Sequence, residues 1–343
     1  MQKPTPYTLH FIILSLLLIV FFFLNISLGQ SSIPFYEIIS SLVGKGSSKS
    51  SWEFIILEYR LPKAITAIIA GSGLSAAGLM MQTLFRNPLA DPFVLGLSSG
   101  ASLGVAILLL GATAFGGVIG HLLSSEWSVV LAAAAGTLLV LLAVMSVSLR
   151  VKDSMTLLII GIMFGSFTAA IVGVLSYLST AEQLQRYIFW SFGSLGDISW
   201  KGIQILSLCF SIGITVSILS CKALNALLLG PQYAQSMGLK IKKTNLLLVI
   251  ATSILAGSIT AFAGPIAFVG LAVPHLTRQI FHTSNHFILM PAVMLYGASL
   301  LLICDSIAQM PFSDTPLPIN AITSFIGAPI VIWLLVRTKK LEF

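Results

Sequence analysis

The chain has 343 residues, 57% of them hydrophobic and only 8% charged, with a mean hydropathy of +1.00. A water-soluble domain carries roughly 25% charged residues, so a soluble globule is excluded and lipid is the solvent. The net charge of +7 and the pI of about 9.4 do not point to nucleic acid. No basic stripe with interleaved aromatics occurs, and basic residues collect in the cytoplasmic loops of membrane proteins.

In lipid every backbone N–H and C=O must be satisfied internally, which leaves helices or a closed barrel. A barrel would show alternating runs of about 10 residues. The apolar runs here are uninterrupted and about 20 long, which suits helices. The fold class is therefore all-α: a polytopic membrane helical bundle of about ten transmembrane helices, forming a single domain over 1–343.

The first predicted span, 10–28, follows Lys3. It exceeds a signal-peptide apolar core of about 7–15 residues, and no A-x-A cleavage site follows, so it is read as a membrane helix. Further spans are predicted at 62–84, 92–111, 128–148, 156–178, 202–221, 244–263, 266–282, 287–308 and 320–336. The 266–282 segment holds Pro274, His275 and Arg278 and is short enough to be a broken or partial span. A short amphipathic helix is predicted over 181–192. Cys209, Cys221 and Cys304 have no CxxC or metal-ligand spacing and are read as packing residues.

Ten spans put both termini on one side. Placing them in the cytoplasm puts twelve of the eighteen Lys and Arg inside and six outside: Lys45, Lys49, Arg60, Lys63, Arg186 and Lys201. That bias favours N-in, C-in. Residues 70–78, AGSGLSAAG, echo residues 256–264, AGSITAFAG, at five of nine positions, and each string is followed by a Pro-led segment from Pro92 or Pro265. Either small-residue helices converge on such strings, or the chain holds two inverted halves, as many transporters do.

Catalytic motifs are absent. No G-x-x-x-x-G-K-[ST] occurs, so ATP hydrolysis by a P-loop is not expected of this chain. No HExxH, His cluster or paired mid-membrane carboxylates occur, and no metal site is predicted. Ion-coupled carriers bury ionisable relays in their spans; here the interiors are almost free of charge, and Asp305 sits near a helix end. Energy for transport should therefore enter through a partner.

Three stretches are more specific: Arg60-Leu-Pro-Lys63 leading through Met81-Gln82 to Arg86-Asn-Pro-Leu-Ala-Asp-Pro92 and Leu95-Gly-Leu-Ser-Ser-Gly100; Leu224 to Leu239, a polar loop of two short helices; and Gly264-Pro-Ile-Ala-Phe-Val-Gly-Leu-Ala-Val-Pro-His-Leu-Thr-Arg278, with Leu317 to Pro329 beyond it. Through these residues the chain closely resembles the FecCD-type permeases of ABC importers for iron–siderophores, haem and vitamin B12, from about Tyr59 to Trp333. The resemblance implies the type II importer permease fold in a bacterial inner membrane and a second permease copy, a homodimer or close heterodimer. It also implies two cytoplasmic ABC ATPase subunits that carry ATP and Mg, and a periplasmic or lipid-anchored substrate-binding protein. No cofactor would be bound by this chain.

Carried over by position, the 224–240 loop matches the family's coupling helices, with Leu224, Leu227, Leu228, Gly230, Ala234 and Gly238 as its key residues. Leu227, Leu228 and Leu229 would form an apolar knob, and Gly230 and Gly238 would end the short helices. Arg60 and Lys63 match a basic pair that receives acidic residues of the binding protein, an arrangement that would steer docking. A second basic position of the family is Gln309 here. Ser154 and Met155, after Asp153, match the cytoplasmic gate. His275 is read as structural. Transport of a ferric siderophore or haem is expected, with cobalamin as the alternative. A secondary carrier or a membrane enzyme is disfavoured, for want of buried charge and of any acid/base constellation.

Overall fold

The computed structural model describes residues 7–29, 31–111, 126–148, 154–196, 198–309 and 317–337. All regular elements among them are helical. Helix α1 is Tyr7–Ser27, α2 Phe35–Leu42 and α3 Ser50–Phe54. A π-helical turn, Ile55–Arg60, carries α3 into α4, Leu61–Leu84. A 3₁₀ turn, Pro92–Leu95, precedes α5, Leu97–Leu110, and α6 is Glu126–Ser148. Then follow α7 Ser154–Leu178, α8 Ala181–Ser191, α9 Trp200–Leu219, α10 Cys221–Leu228 and α11 Pro231–Ser236. The chain continues through α12 Ile241–Ala263, α13 Val269–Phe281, α14 His286–Ala308 and α15 Ile319–Arg337.

Each of the ten predicted spans meets a helix. Seven are long and apolar enough to cross a membrane, and α5 and α15 are shorter apolar helices. The 266–282 segment is a partial span: α13 has 13 residues, about 20 Å of helix against a hydrocarbon core of about 30 Å. Its start is set by Phe268, whose backbone is left-handed at φ +69°. The amphipathic helix is also present as α8, opened by a reciprocal capping box between Thr180 and Gln183.

Helix α4 is the core. Of its most apolar window 89% is buried, against 17% for α1 and 11% for α7. It packs on α9, α12, α13 and α14. Small residues let these backbones touch. A Cβ on Gly78 would run into the Gly270 carbonyl of α13, and one on Gly71 into the Gly297 carbonyl of α14. Helices α5 and α6 meet in the same way, with Gly100 and Gly104 against Gly136 and Ala132.

The string 70–78 lies on α4 and 256–264 closes α12, and the two helices pack together. The start of α4 at Lys63 and the end of α12 at Ala263 both meet the 193–196 turn, so they run in opposite directions. Each helix leads into a Pro-led turn, a left-handed residue (Gly96 at φ +77°, Phe268 at φ +69°), and a short helix of 14 or 13 residues. Composition alone does not produce that order of elements; it supports the inverted-repeat reading.

Candidate functional site

Two groups of polar side-chain contacts lie at the two ends of the bundle. At one end lie α10 and α11, the last turn of α4, and the loop before α14. Cys221, Leu224 and Leu227 recur at every third position and form the buried face of α10, and Ala234 is the buried residue of α11. Gly230 at φ +105° and Gly238 at φ +88° take backbone conformations that side chains disfavour, at the two turns that fold the loop back.

This corrects the predicted knob. Leu227 belongs to the underside and Leu228 is half-buried. The exposed apolar groups are Leu229 (63% exposed), Tyr233 (53%) and Met237 (63%). The 3.6-residue helical period is the reason, because one stripe of a surface helix must face the core.

The underside is joined to the bundle by polar contacts that the sequence reading did not single out. Asn225 of α10 bonds His286 at the first turn of α14, and His286 meets Thr83 of α4. Beside them Arg278 Nη1 donates to Gln82 Oε1 at 2.9 Å, while Gln82 Nε2 donates to the Leu271 carbonyl at 3.0 Å. The Asp91 carboxylate accepts from the Phe93 backbone N–H at 2.9 Å. Burial pushes its pKa up to about 6, and that hydrogen bond only partly offsets the rise.

At the opposite end the predicted docking cations are engaged internally. Arg60 is 7% exposed and donates to the carbonyls of Ile26 at 2.9 Å, Ser27 at 3.1 Å and Ser31. Lys63 Nζ lies 3.1 Å from Asp305 Oδ1. Position at a helix start set the height of these residues but not their direction. Arg60 turns inward because the end of α1 leaves carbonyls without helical partners, and a guanidinium fork can satisfy several at once. Gln309 donates to Asp305 as well, so the residue at the second family position is also turned inward.

Of the predicted gate, Ser154 and Met155 form the first turn of α7; Asp153 and both side chains lie outside the described residues. Among the described residues no cluster of His, Cys, Asp and Glu could hold a metal ion. His275 is half-buried on α13. A cavity of about 370 Å³ lies between α6, α8, α9 and α12, with Trp127, Phe189, Trp190 and Phe262 among its walls.

A family model described as the FecCD transport family matches residues 17–337. The chain is 34% identical over 327 residues to the vitamin B12 import system permease protein BtuC of Klebsiella pneumoniae, covering 95% of this chain and 93% of the relative. It is 32% identical over 328 residues to the hemin transport system permease protein HmuU of Yersinia pestis, covering 95% of each. Its fold matches a solved structure described as an inward-facing conformation of a metal-chelate type ABC transporter, with TM-score 0.81, 28% identity, and coverage of 94% of this chain and 97% of that one.

Proposed function

The chain belongs to the FecCD transport family, and from that premise we propose that it is the membrane-spanning subunit of an ATP-driven importer that receives an iron complex, a ferric siderophore or haem, from a binding protein and releases it into the cytoplasm by alternating access. Hydrolysis of ATP, with its Mg, is assigned to two cytoplasmic ATPase subunits. The observation that carries this reading is the α10–α11 loop. Its underside is anchored by Leu224, Leu227 and Ala234, while Leu229, Tyr233 and Met237 stand exposed. A rigid apolar knob of this kind fits a groove on a partner, so that closure of the nucleotide sandwich would move the bundle.

A second permease copy, most simply this same chain, would complete the path. Helix α7 supports this: Met163, Ser166, Ala170 and Gly173 form one exposed stripe, whose small and polar members suit a helix neighbour or an aqueous path better than acyl chains. Ser154 and Met155 would form the cytoplasmic gate at the start of that helix. The loop end is assigned to the cytoplasm of a bacterial inner membrane, with N- and C-termini inside. The opposite end would receive the binding protein on a surface that Arg60 and Lys63 hold together rather than one on which they offer free cations. Cobalamin is the second reading of the cargo, favoured by the 34% identity to the B12 permease.

The test is uptake into liposomes by the permease reconstituted with its ATPase and binding protein. ATP-dependent accumulation of labelled ferric siderophore, haem or cobalamin supports the importer and identifies its cargo. Uptake that ignores ATP and follows a proton gradient overturns it.

A further inference from the structure

Three helices distant in sequence meet at one imidazole. The His286 backbone N–H donates to Asn225 Oδ1 at 2.8 Å, and that contact fixes which amide atom faces the histidine, because only the oxygen can accept. The same oxygen lies 2.8 Å from His286 Nδ1. An amide oxygen cannot donate, so Nδ1 carries the proton. In the neutral ring Nε2 is then an acceptor; the Thr83 hydroxyl lies 2.8 Å from it, and the single proton of that hydroxyl also faces the Leu79 carbonyl at 2.9 Å. The bond from His286 on α14 to Asn225 on α10 therefore has a fixed direction, while on the α4 side the Thr83 proton is shared between Nε2 and the Leu79 carbonyl. His286 is fully buried, so water does not compete for these bonds. Asn225 Nδ2 continues the chain to Asn285 Oδ1 at 3.0 Å, and Asn285 caps α14 through the Phe287 N–H.

We propose that His286 is a positioning residue for energy coupling: through the Asn225–His286–Thr83 relay, displacement of the loop is transmitted to the start of α14 and the end of α4, which pack extensively on each other. The proposal rests on the reading of α10 and α11 as the ATPase contact and deepens it. Apolar packing alone lets α10 slide over its neighbours, since apolar contacts are not directional. Two short hydrogen bonds on one rigid ring fix distance and direction together. Asn225 is the member of the relay in the loop, and it moves whenever α10 moves.

The experiment uses the complete importer in liposomes and measures uptake and ATP hydrolysis in the same vesicles. Asn225→Ala and His286→Ala are each expected to lower cargo transported per ATP on the order of tenfold, the usual size of a coupling effect, with basal hydrolysis retained. The double variant is expected to be no worse than either single one, as for members of one network. Asn225 is half-buried in a loop, so its variant remains informative if His286→Ala fails to fold. An unchanged ratio in Asn225→Ala, including one in which uptake and hydrolysis fall together, overturns the relay. Leu229→Asp serves as the control for the underlying reading. If that variant still co-purifies with the ATPase, the loop is not the contact and both readings fall. If it loses the ATPase while Asn225→Ala keeps its ratio, only the relay falls.

Discussion

Lys63 and Asp305, 242 positions apart in the sequence, form an ion pair of 3.1 Å at the end of the bundle opposite α10 and α11, with the lysine side chain 17% exposed and the aspartate 3%. Asn25 donates to the same carboxylate at 2.8 Å, so α1, α4 and α14 are tied at one point. Removing one partner of a buried pair leaves an uncompensated charge, which costs about 3–5 kcal/mol. Lys63→Ala is therefore expected to lower the thermal stability of the detergent-solubilised permease sharply. Lys63→Leu combined with Asp305→Leu should recover most of the loss. Failure of the double variant to recover, measured by thermal unfolding, would show that Lys63 acts outside the pair.

Arg60 makes a different use of charge. Its fork closes the turn after α1 through three carbonyls. Lysine keeps the charge but not the planar donor geometry. Arg60→Lys should thus destabilise by about 1–3 kcal/mol, the usual cost of leaving buried acceptors unpaired. The affinity for a binding protein should stay unchanged in the fraction that folds. Limited proteolysis of the 28–34 segment reads the first effect, and titration of the reconstituted importer reads the second.

Hydropathy made the spans legible, because a helix in lipid must be apolar along its length whatever it packs against. Direction around the helix was less legible. The burial of Leu224 and Leu227 follows a helical period present in the sequence, and that register could have moved the knob to Leu229, Tyr233 and Met237. The inward turn of Arg60 and the meeting of Asn225, His286 and Thr83 carry no such signal. Each partner lies tens to hundreds of positions away, and each contact exists only once α1, α4, α10 and α14 have taken their relative rotation.

Close packing gives a matched pair of glycine tests. Gly78 faces the Gly270 backbone without space for a methyl group, whereas nothing lies within 4 Å of the point where a Cβ on Gly173 would stand. Overpacking a tight contact costs about 1–3 kcal/mol. Gly78→Ala is expected to fall in that range by thermal unfolding, and Gly173→Ala to lie within about 0.5 kcal/mol of the parent. A larger loss for Gly173→Ala in the assembled importer than in the isolated chain would place a second copy against α7.

Asp91 sets a pH dependence whose sign follows from its burial. The carboxyl titrates near 3.8 when free and at about 6 in the folded chain, so the folded state holds its proton more tightly. Its contribution to stability is full below about 3.8 and is lost as the pH rises through about 6. At neutral pH the folded chain carries a buried carboxylate whose one described hydrogen bond comes from the Phe93 N–H, at a cost on the order of 1.4 kcal/mol per pKa unit of rise. Asp91→Asn keeps an acceptor for that N–H and carries no charge. The variant should therefore be more stable than the parent above pH 6, converge with it near pH 4, and flatten the pH profile between them. Thermal unfolding of both proteins across that range is the measurement. A variant less stable than the parent at pH 7.5 would mean that the ionised carboxylate has a favourable partner, and that Asp91 is held as an anion in the working protein.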